Sequence, residues 1–328
     1  MRKYIIKRVL FSVLILILVT FVLYTLIRFL PTSYVEQVAR QKSMQPGSKS
    51  FEEWMEQLSV TYGLNKSIPA GYLTWAGRAI RGDFGDSWLY TVPVIQKFKE
   101  TIPISIAMNL TAFILELMIA IPLAILAATR QYSKTDYTVS VFSLLGFSLP
   151  TFFFASLLKL LFSVKLGWFD LGGLVGRNYD QLDTFGKLLD RGHHLVLPVI
   201  TMVVVNIGMY VRYTRTNMLE VLSADYIRTA RAKGLPESRV VFEHAFRNTL
   251  ITLVTIVGNS LPALFNGALI TETLYSIQGT GYTAYGCMRA GDIPFSMFFM
   301  TFIAIMTLLG NLIADILYAV VDPRVRIS

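Results

Sequence analysis

The sequence predicts an all-α polytopic membrane protein with six transmembrane helices. Three observations carry that reading. The 328 residues are 54% hydrophobic and only 16% charged, against roughly 25% charged in an ordinary soluble domain. The mean hydropathy is +0.53, and the apolar residues are gathered into long runs rather than spread at core spacing. The runs are as long as a hydrocarbon core about 30 Å thick requires, roughly 20 residues at 1.5 Å each. Inside a bilayer every backbone N–H and C=O must be paired within its own segment, so runs of this length without period-2 alternation are read as helices.

In chain order the runs are Val9 to Leu30, Thr101 to Thr129, Val139 to Leu166, Leu195 to Tyr213, Asn248 to Thr271 and Phe295 to Val321. The first follows Arg2, Lys3, Lys7 and Arg8 as a secretory leader would. Its apolar stretch is longer than such a leader needs, and Arg28-Phe29-Leu30-Pro31-Thr32 offers no small-residue cleavage site. It is expected to stay as a helix, giving an N-terminal helix over 1–33, an extracytoplasmic segment over 34–100 and a five-helix core over 101–328.

Orientation follows from Lys and Arg in the short loops. The N-terminus carries four, the 130–138 loop has Arg130 and Lys134, and the tail has Arg324 and Arg326. The loop after the fourth run holds Arg212, Arg215, Arg228, Arg231, Lys233, Arg239 and Arg247, whereas 272–294 holds only Arg289. Both termini and the basic loop are therefore expected in the cytoplasm of a cell with this chain in its membrane. The net charge of +9 is spent on sidedness, and no nucleic-acid stripe is expected.

Helix-disturbing residues sit within the runs: Pro122, Gly146, Pro150, Pro198, Gly208, Gly258, Pro262 and Gly267. They fit helices that line a conduit and move, and equally fit close packing of membrane helices. Lys159 and Asp315 lie near enough to helix ends to reach an interface. Glu116 lies mid-run, which makes it a candidate for the translocation path, with a hydrogen-bonded neutral Glu as the structural alternative.

No catalytic signature is present: there is no H-E-x-x-H, no G-x-S-x-G and no Cys/His cluster at metal-ligand spacing. A single cysteine, Cys287, excludes an intrachain disulfide. His193-His194 reads as a solvated interfacial pair. Gly186-Lys187 lacks the upstream Gly and the following Ser/Thr of a phosphate-binding loop, so any ATP used must bind another chain. The chain is expected to be no enzyme and to hold no metal or cofactor of its own.

The most informative segment runs from Leu222 to Glu237. It reads as two short helices joined by a turn, with Ser223 as cap, Asp225 in the first turn and Arg231 and Lys233 in the last. Gly234 supplies a left-handed terminator and Pro236 opens the next helix. Arg228-Thr229-Ala230, three residues, then Gly234 stands where the membrane subunits of ATP-binding-cassette importers carry their EAA-x-x-x-G loop. The fuller Asp225, Tyr226, Ile227, Arg228, Thr229, Ala230, Arg231, Ala232, Lys233, Gly234, Leu235 resembles the variant in the dipeptide, oligopeptide and nickel permeases. Arg212 through Leu219 and His244-Ala245-Phe246-Arg247-Asn248 flank it as in that family. Glu272-Thr273 with Gly279 and Gly281, then Asp292-Ile293-Pro294, resembles the family's outer connection. Asn311 through Asp315, Tyr318 and Asp322-Pro323-Arg324 resemble its last helix and tail. Tyr62-Gly63-Leu64, Tyr72, Trp75 and Gly82 through Ser87 resemble the outer region of the B-type member of the permease pair. Arg228-Thr229 replaces Glu-Ala, and Arg247 stands where the general motif has Pro.

The resemblance implies a type I importer (MetI-like) permease fold with a cytoplasmic coupling loop over 214–249. It implies a heterodimer with a second, C-type permease, two ATPase subunits that bind ATP and Mg, and an extracytoplasmic binding protein that delivers substrate. Peptides, di- or oligomeric, are the cargo implied first; nickel or other metal chelates and small solutes are the alternative. A channel or ion-coupled carrier would also have six kinked spans, but would work without a second chain. An intramembrane enzyme would need a catalytic dyad within the spans.

Overall fold

The computed structural model describes residues 2–29, 34–61 and 65–321, apart from the side chains of a few of them. They are helical, and among them the one extended pairing is an isolated antiparallel bridge between Asp86 and Pro93. Helix α1 covers Arg2–Arg28, followed by the short α2 (Tyr34–Ser43), α3 (Phe51–Thr61) and α4 (Ile68–Ala79). Helix α5 runs Val94–Thr129, α6 Lys134–Ser148 and α7 Thr151–Leu158, the last continuing as a π-helical turn over Lys159–Lys165. Helix α8 is the longest, Thr184–Leu222. After it come α9 (Asp225–Ala232), α10 (Glu237–Arg239), a π-helical stretch Val240–Phe246, α11 (Arg247–Ser260), α12 (Leu269–Leu274), α13 (Thr280–Ala290) and α14 (Ile293–Val321).

Among the described residues, four helices are long and apolar enough to span a bilayer: Ile6–Arg28, Val94–Thr129, Thr184–Leu222 and Ile293–Ile313. Two of the six expected spans are not single helices. The third is broken at Leu149-Pro150, where Lys134–Ser148 and Thr151–Lys165 meet at 99°. Pro150 cannot donate to the preceding turn and pushes Leu149 into the extended region, with ψ 127°. The fifth ends as α11 at Ser260, passes through a 3-10 turn Leu261–Leu264 with Pro262 at its second position, and resumes only as the six-residue α12. Pro122 and Pro198, by contrast, lie inside unbroken helices. The fourth span begins eleven residues before Leu195, because the Asp183 carboxylate accepts the Gly186 N–H at 2.8 Å and caps the helix there.

The residues form two compact units, Met1–Pro103 with Thr280–Leu309, and Ile104–Gly279 with Gly310–Ser328. In the first, Val94, Phe98, Cys287, Phe295, Phe298 and Phe299 make an aromatic core, and Tyr24, Ile27, Tyr72 and Met297 another beside α1 and α4. Asp292, fully buried, accepts the Phe295 N–H at the start of α14 together with the Ser87 hydroxyl at 2.5 Å and the Leu89 N–H at 3.1 Å. In the second unit, Met108, Ala112, Ala155, Leu197, Val199, Val203, Tyr275 and Ile277 pack together. Helix α6 crosses α8 at backbone distance: a Cβ on Gly146 would strike the Val204 carbonyl, and one on Gly208 the Ser143 carbonyl.

Candidate functional site: the loop between α8 and α11

Helix α8 carries the loop. Its 39 residues extend about 58 Å at 1.5 Å per residue, roughly twice the hydrocarbon thickness, so its last turns stand clear of any bilayer that its apolar middle crosses. Ser223 ends this helix instead of capping the next one. Its N–H bonds to the Leu219 and Glu220 carbonyls and its hydroxyl to Glu220 O at 2.7 Å, because apolar Met218, Leu219 and Leu222 keep α8 wound against its neighbours up to that point. The cap position of α9 falls to Ala224, whose carbonyl accepts from Ile227 and Arg228. Pro236 likewise sits one place earlier than expected, as the cap of α10.

The other end of α9 is as the sequence suggests. Gly234 has φ +75°, the left-handed region that a side chain disfavours. Its N–H reaches Arg231 O at 2.9 Å while the Leu235 N–H reaches Ala230 O at 3.4 Å, the paired bonds of a Schellman ending. Lys233 lies just past the helix and Arg231 in its last turn, where a cation suits the helix dipole.

Helix α9 is strongly two-faced. Ile227 and Ala230 are buried with Met218, Val240, Val241, Ala245, Ile125 and Ala128, and half-buried Leu235 packs against the same cluster. Burial of a residue such as Ile227 contributes about 1.5–3 kcal/mol, enough to hold a two-turn helix that would not form alone. The opposite face presents Asp225, Tyr226, Arg228, Thr229, Arg231, Ala232, Lys233 and Gly234 to solvent. The ten coupling residues expected from the sequence thus divide into eight that face outward and two, Ala230 and Leu235, that anchor.

A bidentate pair braces the turn: Arg231 Nη2 donates to Glu237 Oε1 at 2.6 Å and Nε to Oε2 at 3.2 Å. The guanidinium holds the Glu237 carboxyl below its usual range. A carboxylate of lowered pKa contributes stability above its unfolded value of about 4.3, and that contribution is lost as pH falls through the lowered folded value. Near neutral pH the brace is fully formed. Both side chains are about half exposed, so it contributes only about 0–1 kcal/mol.

Glu116 lies apart from this loop, on α5. It is 3% exposed and accepts a bond from Asn206 Nδ2 of α8 at 3.1 Å. Lys159 Nζ donates to the Leu274 carbonyl at 2.5 Å, at the C-terminal end of α12, and stands 5.6 Å from the Tyr275 ring centre. The Asp315 side chain, Tyr62-Gly63-Leu64 and Asp322-Pro323-Arg324 lie outside the described residues. The histidines are unlike one another. His193 is exposed and stacks on Phe169, whereas the His194 side chain is 3% exposed and lies 3.4 Å from Asp170 and 3.8 Å from Asp190. Among the described residues no group of three His, Cys, Asp or Glu side chains could hold a metal ion.

Two further carboxylates in this unit are buried, Glu272, which the sequence marked only as part of the outer connection, and Asp136, which it did not single out. Glu272, fully buried, accepts from Ser105 Oγ at 2.6 Å and Ala268 N–H at 3.0 Å, and Gly279 must lack a side chain because a Cβ there would strike both Ser105 and Glu272. Asp136 is gripped by Arg215. The Ser133-x-x-Asp136 spacing that opens α6 was the available signal for the second, since it marks a helix start with an acid in its first turn.

Comparison with known proteins fits this architecture. Residues 120–327 match the family described as binding-protein-dependent transport system inner membrane component. The oligopeptide transport system permease protein AppB of Bacillus subtilis is 38% identical over 99% of this chain and 100% of its own length. The di/tripeptide transport system permease protein DppB of Pseudomonas aeruginosa is 34% identical over 94% of each chain. A probable peptide ABC transporter permease of Sinorhizobium fredii is 29% identical over 99% of this chain. With the family match spanning more than half of the sequence and full-length relatives above 30% identity, this chain belongs to the binding-protein-dependent transport system inner membrane component family, as a permease subunit.

Proposed function

We propose that the chain forms, with a second homologous permease, the membrane path of an ATP-driven importer for di- or oligopeptides, and that α9 is its docking element for a partner ATPase. The observation that carries this reading is α9 itself. It is a short helix anchored by Ile227 and Ala230 to the end of a 39-residue rod, with its polar face outward and a stiff glycine ending. Such an element moves as one piece with α8, so a push on its outer face is delivered to a helix that crosses the membrane. The peptide permease names of the relatives support peptides as cargo over metal chelates.

In this reading both termini and the 214–249 loop are cytoplasmic, ATP and Mg bind the two ATPase subunits, and an extracytoplasmic protein delivers the peptide. Segment 34–100 stands on the outer side. ATP-driven closure displaces α9 and alternates access to the path, with each ligand shifting the balance only as far as it prefers one state. Glu116 is the candidate side chain for the path. The test is coupling in the reconstituted complex. Gly234→Val puts a β-branched residue at φ +75° and loosens the α9 ending, so uptake per ATP hydrolysed should fall several-fold while the complex still assembles. Unchanged coupling would remove α9 from the mechanism.

A further inference from the structure

One turn before Met218 enters the α9 cluster, α8 carries a second, directional attachment. Arg215 Nε donates to Asp136 Oδ1 at 2.6 Å and Nη2 to Oδ2 at 2.8 Å. The Asp136 side chain is 4% exposed and that of Arg215 24%. Two parallel charge-assisted bonds fix orientation as well as distance, which a single lysine contact would not.

Asp136 is itself held from the turn between α5 and α6. The Tyr132 N–H donates to Oδ2 at 3.0 Å and the Ser140 hydroxyl to Oδ1 at 3.5 Å, while Ser133 Oγ accepts the Asp136 N–H at 3.3 Å and caps α6. Tyr132 sits at φ +63°, a conformation that a bulky residue adopts only when its surroundings impose it. The whole turn is therefore wrapped around one carboxylate, and that carboxylate is clamped to α8.

The position of the clamp gives it a mechanical meaning. Farther along, α6 and α8 meet through glycine against backbone carbonyl, at Gly146 with Val204 and Gly208 with Ser143. Contacts of that kind resist approach but contain no bond that stops one helix sliding along the other. The Arg215–Asp136 pair adds that missing constraint. It lies about 10 Å from the Gly208 crossing by helical rise over seven residues, on the side toward α9.

We propose that Asp136 and Arg215 are the positioning pair through which movement of α9 and α8 is carried into the α5–α6 turn, so that the two neighbouring spans shift together with the coupling helix. The inference rests on the permease reading above and assigns a residue pair to its transmission step. It also explains why α6 opens on an acid buried at its N-terminus rather than on an exposed one.

The test uses the complete transporter in proteoliposomes, reading ATP hydrolysis and uptake of tritiated alanine oligopeptides of two to five residues. Asp136→Asn with Arg215→Gln should keep ATP hydrolysis and lower uptake per ATP roughly two- to thirtyfold, the range for residues that transmit coupling. Arg215→Lys, which keeps charge but not the fork, should fall between. The pair Asp136→Cys and Arg215→Cys should behave as the neutral variant when reduced, and regain coupling when bridged in the membrane by a short bifunctional thiosulfonate. Cys287 is buried and its thiol pushed up by burial and by Asp292, so it stays out of the reaction. Wild-type uptake per ATP in the neutral variant overturns the pair's role, as does a parallel loss of hydrolysis and uptake, or bridging that restores nothing. Absence of ATP-driven uptake in the wild-type complex instead overturns the permease reading.

Discussion

Glu116 has one role that the structure shows, its bond with Asn206, and one that is proposed, in the path, and substitution separates the two. Its Oε1 accepts from Asn206 Nδ2, a bond that a glutamine carbonyl can also take. Glu116→Gln should therefore keep the assembled complex and its melting temperature, and lower or redirect peptide uptake because the carboxylate is gone. Glu116→Leu removes the acceptor from Asn206, which is itself exposed, so the loss is that of one ordinary hydrogen bond, about 0.5–1.5 kcal/mol, and should depress the melting temperature of the purified complex modestly. If Glu116→Gln transports as wild type does, the residue is a packing group and leaves the path. The position of Glu116 in an apolar run was enough to single it out, because a carboxylate there must be explained. Asn206 could not be named from the sequence, since an amide inside a membrane helix carries no sign of which neighbour it faces.

At the scale of elements, the α6–α8 crossing decides how close two spans lie. A Cβ on Gly208 would meet the Ser143 carbonyl, which belongs to the backbone and cannot rotate away. Gly208→Val should therefore force the helices apart at a cost of about 1–3 kcal/mol and lower the melting temperature of the detergent-purified complex. Gly192→Ala on the same helix meets open space and should be neutral or slightly stabilising. An equal effect of the two would mean that α6 and α8 do not cross there. The same comparison explains what was legible beforehand. Helix identity was plain from run length and hydropathy, and the α9 ending from Gly234, because both depend on local chemistry. The list of glycines and prolines did not say which would break a helix: Pro198 lies inside α8 while Pro150 turns its chain by 99°. That outcome is set by neighbours. The Ser223 cap failed for a similar reason, since the apolar side chains of Met218, Leu219 and Leu222 extend α8 through the place where local propensity alone would start a new helix.

For the molecule as a whole, the arrangement depends on which ends of the spans carry positive charge. Arg212 and Arg215 near the end of α8, with Arg228, Arg231, Lys233, Arg239 and Arg247 beyond it, cluster at one end of the fourth span, and translocating that many cations is disfavoured at insertion. The outward face of α9 is part of this cluster, so the charge from which sidedness is read and the surface proposed to meet the ATPase are one feature. The chain offers a clean way to test it. Its only cysteine, Cys287, is buried, leaving a low background for a membrane-impermeant maleimide. Ser238→Cys adds a thiol of nearly the same size at an exposed position of α10, and Met44→Cys adds one at a side chain 77% exposed in the 34–100 segment. In intact cells Met44→Cys should label and Ser238→Cys should not. Inverted vesicles should give the opposite pattern. Labelling of Ser238→Cys from outside would put α9 on the wrong side for an intracellular ATPase, and would overturn the coupling role of α9 and of the Asp136–Arg215 pair together.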